Sequence, residues 1–173
     1  MPNIDNPHGL RPLMRSIEGG PCQVRQYSKD ASEALAIFVG DIVTLETDGN
    51  IAPNGTPGTT RWRGVALNWG AAATLSEHFI VANPSAMFEA QDNDDTDGFD
   101  AADMGAGVNV ELNAGNTLTK VSEHELDESS IHASTAKDLR LLGLLNVPDN
   151  AFGAFGRFEV FINLHQLREG VGI

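Results

Sequence analysis

Residues 157–164 read RFEVFINL and carry the clearest strand pattern in the chain. Phe158, Val160 and Ile162 occupy alternate positions and therefore share one face of a half-buried β-strand. Shorter runs of the same kind recur upstream, with turn-forming residues about every eight to twelve positions. This spacing predicts a mainly β fold, with a small β-barrel or sandwich body and long loops.

Seven further segments have strand character, and a turn-rich stretch at residues 47–58 allows one short pairing near Ile51. Residues 33–39 fit either a helical turn or a strand. Residues 121–136 are polar and mixed, and they show at best weak helical character. The predicted strands are residues 23–27, 42–46, 62–69, 77–82, 86–91, 108–112 and 138–146.

The first 20 residues differ from the rest, because closely spaced Pro and Gly exclude a regular helix or a central strand there. We therefore expect residues 1–20 to form an extended N-terminal arm and residues 21–173 to form one β-rich domain with an acidic loop at 92–107. The arm either lies on a partner such as a neighbouring subunit or frays as a terminus. Its candidate interaction residues are Ile4, Leu10, Arg11, Leu13, Met14 and Ile17.

The chain is acidic, with a formal net charge of −13 over 173 residues. This charge argues against nucleic acid and anionic membranes as partners, since both are recognised through clustered Lys and Arg. Cys22 is the single cysteine, so no disulfide forms within the chain. No run of about 20 apolar residues predicts a membrane span. The first residues also lack the pattern of a signal peptide.

The sharpest local motif is the acidic run at residues 92–98, DNDDTDG. When Gly98 is placed at the glycine of a calcium loop, Asn93, Asp95 and Asp97 fall at alternating ligand positions. Met104 then occupies the position of the bidentate Glu, so the motif is incomplete. Either this loop binds calcium through those three residues, or it is an exposed acidic loop, which is the favoured interpretation because the motif is incomplete. We expect no other metal and no cofactor.

Catalytic motifs do not emerge from the sequence. The chain lacks a G-x-S-x-G elbow, a zinc-binding His pair and a phosphate-binding glycine loop before a helix. We therefore expect a structural or binding protein rather than an enzyme. Trp62, Trp69 and Tyr27 are the candidate aromatics for a carbohydrate-binding surface. Packing in the core is the favoured interpretation of both tryptophans.

Seven segments, in order along almost the whole chain, resemble the capsid decoration or cement (head-stabilising) proteins of tailed bacteriophages. The first is the NPHGLRP run at residues 6–12, and the second is IFVGDIV at residues 37–43. The central segments are RGVA with FIVANP and FEAQ, at residues 63–66, 79–84 and 88–91. The last two are residues 144–153, which include PDNAFG, and VFINLHQL at residues 160–167.

The resemblance implies a β-barrel-like body that binds the outer surface of a capsid and bridges major capsid protein subunits, often as a homotrimer. It implies synthesis in the bacterial host cytoplasm, a place on the virion and no catalytic residues. Deleting residues 2–20 is then expected to leave a folded core with weaker capsid or subunit binding. The alternatives are another virion part, such as a tail or head–tail joining protein, and a carbohydrate-binding β-barrel module.

Overall fold

The structure, a computed structural model, describes residues 3–94, 97–133 and 135–167, without the side chains of residues 76–78. Its regular elements are eleven strands and one 3₁₀ turn at Ala101–Asp103. None of these described elements is a helix that is long and apolar enough to cross a membrane. The strands are β1 (Arg11–Ser16), β2 (Val24–Lys29), β3 (Ile42–Leu45), β4 (Ile51–Ala52), β5 (Gly64–Ala66), β6 (Ser76–Ala82), β7 (Ala86–Gln91), β8 (Gly107–Glu111), β9 (Glu125–His132), β10 (Leu139–Leu144) and β11 (Arg157–Ile162).

The strands form two antiparallel sheets. One has six strands in the order β1-β7-β11-β10-β8-β9, and the other has five in the order β2-β6-β5-β3-β4. A bridge between Asp92 and Leu126 joins the end of β7 to β9, so the six-stranded sheet curls towards a barrel. The predicted mainly β barrel or sandwich body is therefore confirmed.

Two segments behave differently from their sequence patterns. Residues 125–132, inside the stretch with weak helical character, form β9, so that interpretation was wrong. Only Leu126 on this strand is fully buried, because β9 lies at the sheet edge and leaves its other side chains half-buried or exposed. A strand of this kind gives no apolar alternation to detect. Residues 33–39 form neither a helix nor a strand, and they form single bridges, from Ile37 to Gly70 and from Val39 to Val121.

The middle of the five-stranded sheet, at β3 and β5, is buried on both faces. Ile42 and Val65 point into the larger core, which they share with the six-stranded sheet. The next residues along the same strands, Val43 and Ala66, point into a smaller core with Phe79. Because successive side chains of a strand alternate between faces, this short apolar sheet separates two cores.

Asp138 ties one long loop to the body. This fully buried carboxylate accepts hydrogen bonds from Trp62 Nε1 at 2.8 Å, from the Gly58 amide at 3.0 Å and from the Val110 amide at 3.2 Å. Trp62 is itself fully buried, as the sequence predicts. The three donors come from the loop before β5 and from β8, so one side chain fixes the position of the turn-rich segment.

Candidate interaction surface

Side-chain amides hold the first described residues against the body. The side chain of Gln91 acts in both directions, because its Nε2 donates to the Ile4 carbonyl at 2.8 Å and its Oε1 accepts from the Asn6 amide at 3.1 Å. Asn3 exchanges a similar pair of bonds with the backbone of Ala151, both at 3.0 Å. An amide side chain can donate and accept at once, so each one replaces a backbone partner for the extended segment.

The segment enters the body at a close contact around Gly9. Gly9 has φ of +66°, and a Cβ there would lie 2.5 Å from the Gly40 carbonyl oxygen and from the Ser122 side chain. The next residue, Leu10, donates its amide to Gly40 at 3.0 Å and is 1% exposed. Only glycine fits this conformation and this space, so Gly9 allows Leu10 to reach the core.

Strand β1 then continues along the edge of the six-stranded sheet. Arg11 pairs with Glu89 and Pro12 with Phe88, and the register is interrupted before Ser16. Pro12 cannot donate a ladder hydrogen bond, which is acceptable only on an edge strand. Residues 10–16 are therefore part of the body. We now expect the deletion of residues 2–20 to destabilise the body, because it removes a core leucine and an edge strand.

The structure divides the six predicted interaction residues into two groups. Leu10 is buried and Leu13 is half-buried, so these two side chains contribute mainly to packing. Ile4 is 78% exposed and Met14 is 75% exposed, while Ile17 is 47% exposed. Arg11 is also exposed. The surface formed by Ile4, Arg11, Met14 and Ile17 is called the N-terminal surface below.

Cationic side chains accompany this surface in an otherwise acidic protein. The Glu89 carboxylate lies 3.4 Å from His8 Nε2 and 3.2 Å from Arg157 Nη1. The positive charge of Arg11 also stabilises this carboxylate. The hydrogen bond from His8 is the main reason that the pKa of Glu89 lies below its usual range. Arg11 and Arg157 therefore reduce the negative potential around Glu89.

Three of the segments that carry the resemblance meet at one cavity of about 290 Å³. Asn6, His8 and Arg11 come from the first segment, Gln91 from residues 88–91 and Asn150 from residues 144–153. Asn150 braces the wall, because it accepts from the Arg157 amide and donates back to the Arg157 carbonyl, both at 2.8 Å. The polar residues of these segments therefore hold the N-terminal segment in place.

Two of the predicted calcium ligands form hydrogen bonds that connect their loop to the neighbouring strands β8 and β9. Asn93 is half-buried and donates to Glu111 at 2.7 Å, and the exposed Asp97 gives its amide to the Glu128 carboxylate at 3.2 Å. Asp95 lies outside the described residues. Within the part of the chain that the structure covers, no three His, Cys, Asp or Glu side chains are placed to hold a metal ion. The calcium interpretation therefore remains a prediction without a described site.

The acidic loop packs beside β9 and concentrates carboxylates. Burial raises the pKa of Asp92 to about 7, and the nearby charge of Glu128 adds to this rise. Burial likewise raises the pKa of Glu125 to about 7, assisted by Asp5 and Glu111. Both groups therefore titrate near neutral pH, well above ordinary carboxylates. This acidic neighbourhood contrasts with the surroundings of Glu89, which is paired with cationic side chains.

The candidate carbohydrate-binding aromatics do not share one exposed face. Trp62 belongs to the core, whereas Trp69 is 39% exposed, so the expectation that both tryptophans are core residues was wrong for Trp69. Lys120 Nζ lies 4.3 Å from the centre of the Trp69 ring. Tyr27 is half-buried, with the Arg63 guanidinium 4.9 Å from its ring centre. Cations already cover the two accessible rings.

Sequence analysis does not identify Asn3 and Gln91 as anchors of the N-terminal segment. An asparagine in a proline-interrupted extended segment was the available signal, since such a backbone needs side-chain partners. Their partners lie far away in sequence and become visible only in the fold. Comparisons with protein-family models, with curated proteins and with solved structures found no match to this chain.

Proposed function

We propose that this chain is a structural virion protein that binds the outer surface of a phage capsid and stabilises the lattice by bridging major capsid protein subunits. The observation that carries the proposal is the N-terminal surface, where Ile4 and Met14 are 78% and 75% exposed on a segment held by hydrogen bonds. Both are large apolar side chains that the fold leaves exposed, and exposed apolar side chains of this size are candidate contacts for another protein.

The held segment suits a protein that must bind without rearranging. Immobilising flexible side chains and loops on binding costs about 0.5–1.5 kcal/mol per side chain. Gln91 and Asn3 already fix this segment in the free protein, which removes part of that cost. The antiparallel body provides a rigid support, and the role requires no catalysis, cofactor or metal.

We also propose that the chain associates with copies of itself, as a homotrimer, which is the state that the family resemblance implies. A chain with a net charge of −13 repels copies of itself over its acidic surface. Contacts are therefore favoured where Arg11, Arg15 and Arg157 reduce the negative potential, beside the N-terminal surface. Arg15 is 54% exposed and pairs with Glu159 on β11.

Quantitative mass spectrometry of purified phage particles tests the location. We expect a copy number near one per major capsid protein subunit, or another large fraction fixed by the lattice. A handful of copies would place the protein in the tail or the head–tail joint instead. Absence from the particle would overturn the structural role.

A binding assay with purified expanded capsids tests the surface. We expect Met14→Asn combined with Ile17→Ser to weaken capsid binding by tenfold or more, about 1.4 kcal/mol. Asn suits position 14 because Met14 has φ of +60°, in the left-handed region. Leu118→Asn is the matched control, since it removes an apolar side chain that is 91% exposed on another loop. Equal binding by all three proteins would contradict the proposed surface.

A further inference from the structure

The charged residues of the six-stranded sheet are separated by sign. Strands β1, β7, β11 and β10 together carry four arginines and two glutamates, whereas β8 and β9 carry four carboxylates and neither Lys nor Arg. The whole chain has only 11 Lys and Arg and a net charge of −13, so four arginines on neighbouring strands are a marked concentration of positive charge. The outer side of these strands is called the arginine face below, and it comprises Arg11, Arg15, Arg140 and Arg157.

Three of these arginines surround two glutamates on the outer side of the sheet. Alternate side chains of β7 and β11 are buried in the core, so Glu89 and Glu159 point outward. Arg157 lies 3.2 Å from Glu89, and Arg15 pairs with Glu159. Arg11 lies opposite Glu89 in the strand register. Both glutamates of the arginine face are therefore already paired in the free protein.

Arg140 is the fourth arginine of this face. It lies opposite Phe161 in the register of β10 and β11, and it is exposed. Phe161 is half-buried, and Leu142 on the same strand as Arg140 is 39% exposed. Among the residues that the structure describes, no carboxylate forms an ion pair with Arg140. Arginine and aromatic side chains of this kind are enriched in protein interfaces.

The outer side of β8 and β9 has the opposite character. Val110 and Leu126 lie opposite each other and point into the core, so the residues beside them point outward. These outward residues, Glu111, Glu125 and Asp127, form what is called the acidic face below. Glu111 lies directly opposite Glu125, an arrangement in which like charges repel each other.

The acidic face is stabilised within the chain by neutral groups. Asn93 donates to Glu111 at 2.7 Å, and Asn113 donates to Glu125 at 3.2 Å. In the part of the chain that the structure covers, neither Lys nor Arg forms an ion pair with this face. Burial raises the pKa of Glu125, and the charges of Asp5 and Glu111 add to the rise. A cationic partner would offset this repulsion.

We propose that the arginine face of one copy binds the acidic face of a second copy, in a head-to-tail contact. A guanidinium group can donate two parallel hydrogen bonds to a carboxylate, so arginines suit this contact. Copies with a net charge of −13 repel each other in most orientations, and the contact between opposite faces is the orientation that electrostatics favours.

The two faces lie on different strands, so every copy keeps one face for each of two neighbours. Repetition of a head-to-tail contact closes a ring when the rotation allows it, and a homotrimer is such a ring. The proposed contact therefore rests on the self-association that is part of the proposed function. It does not depend on whether the ring binds a capsid.

Sedimentation velocity of the full chain at about 0.1 M and about 1 M salt tests the contact, because the Debye length falls from about 10 Å to about 3 Å. We expect association at low salt that weakens by about tenfold or more at high salt. Arg140→Glu and Asp127→Lys should each raise the dissociation constant by about tenfold or more at low salt. Arg25→Glu on β2 and Glu46→Lys after β3 are the controls, since they make the same charge changes outside both faces and should leave association unchanged.

A mixture of the two variants tests the head-to-tail arrangement. Each variant keeps one intact face, so Arg140→Glu mixed with Asp127→Lys should form a heterodimer that neither variant forms alone. The heterodimer would also show that both variants are folded. The proposal is overturned if the mixture forms no heterodimer, if both variants associate like the wild type, or if the wild type stays monomeric at about 1 mM in low salt.

Capsid binding by Arg140→Glu separates the two kinds of partner. If this variant bound capsids more weakly but associated with itself like the wild type, the contact between copies would be overturned and the arginine face would be assigned to the capsid. Mass spectrometry of phage particles tests the capsid role independently, so a failure of that role is distinguishable from a failure of this contact.

Discussion

Asp138 and Asp92 are both fully buried aspartates, yet their surroundings differ in kind. Asp138 receives three donors, from Trp62, Gly58 and Val110. Both oxygens of Asp92 lack a hydrogen bond of normal geometry, although the amides of Asp94 and Phe155 lower its pKa slightly. Burial alone therefore does not determine the role of a carboxylate.

The difference lies in what each carboxylate does for the fold. Asp138 organises a long loop and a tryptophan, so removing it leaves donors unsatisfied in the core. Asp92 sits near Glu128, whose negative charge raises the cost of ionising it. Burial raises the pKa of Asp138 as well, but the hydrogen bonds from Trp62, Gly58 and Val110 oppose that rise. The Asp138 carboxylate is therefore the better stabilised anion of the two, whereas the Asp92 site is more stable when protonated. Variants at the two positions should therefore change the free energy of unfolding in opposite directions.

The largest effect is expected for Asp138→Ala. The change strands the Trp62 indole N–H and two backbone amides, so the free energy of unfolding should fall by about 3–5 kcal/mol. Urea denaturation followed by tryptophan fluorescence measures it. Glu18→Gln, at an exposed loop position, is the control and should shift stability by less than about 0.5 kcal/mol. A loss below about 1 kcal/mol for Asp138→Ala would show that Asp138 does not organise the loop.

Asp92→Asn should stabilise the protein at pH 8, whereas Asp138→Ala destabilises it. The pKa of Asp92 is about 7 in the fold and about 3.9 in an unfolded chain, so the ionised group opposes folding at pH 8. Removing the charge should raise the free energy of unfolding by roughly 1–3 kcal/mol. Asp138→Asn, measured alongside, should instead lower it by about 1–2 kcal/mol, since it loses an acceptor oxygen. If both variants changed the free energy of unfolding in the same direction, the two sites would not differ in the way proposed here for the two carboxylates.

The contrast also explains which parts of the molecule were predictable. Strand β11 was predicted because Phe158, Val160 and Ile162 alternate within one segment. Strand β9 was not, since its edge position leaves polar residues on both faces. The roles of Asp138 and Gln91 could also not be predicted from the sequence, because their hydrogen-bond partners lie 28 to 87 positions away. The alternation of apolar residues is visible within a short segment, whereas the hydrogen-bond partners of buried polar groups are determined by the tertiary structure.

Stability should also rise when the pH is lowered from 8 to 6. Raised folded pKa values for Asp92 and Glu125 mean that the folded state binds protons that the unfolded state releases between about pH 4 and 7. We expect a gain of about 1 kcal/mol from Asp92 and less from Glu125, which is only half-buried and is screened by solvent. Buried His124 acts in the opposite direction below about pH 6.5, because its pKa is lowered.

Urea midpoints across this pH range measure that gain. The double variant Asp92→Asn, Glu125→Gln should show a flatter profile between pH 6 and 8, and the effect of His124 should then be the main one below about pH 6.5. A wild-type profile that is as flat as that of the double variant would mean that neither carboxylate titrates abnormally.

The smallest effect concerns Glu128, which links the acidic loop to β9. Glu128→Gln keeps an oxygen that can accept the Asp97 amide but removes the charge that helps to raise the pKa of Asp92. We expect the pKa of Asp92 to fall by less than about one unit, because burial is the larger cause. NMR titration of the Asp92 side-chain carbon measures the change. Glu123→Gln is the control, since Glu123 is not among the groups that shift Asp92. If Glu128→Gln returned Asp92 to an ordinary pKa, charge repulsion rather than burial would be what separates Asp92 from Asp138.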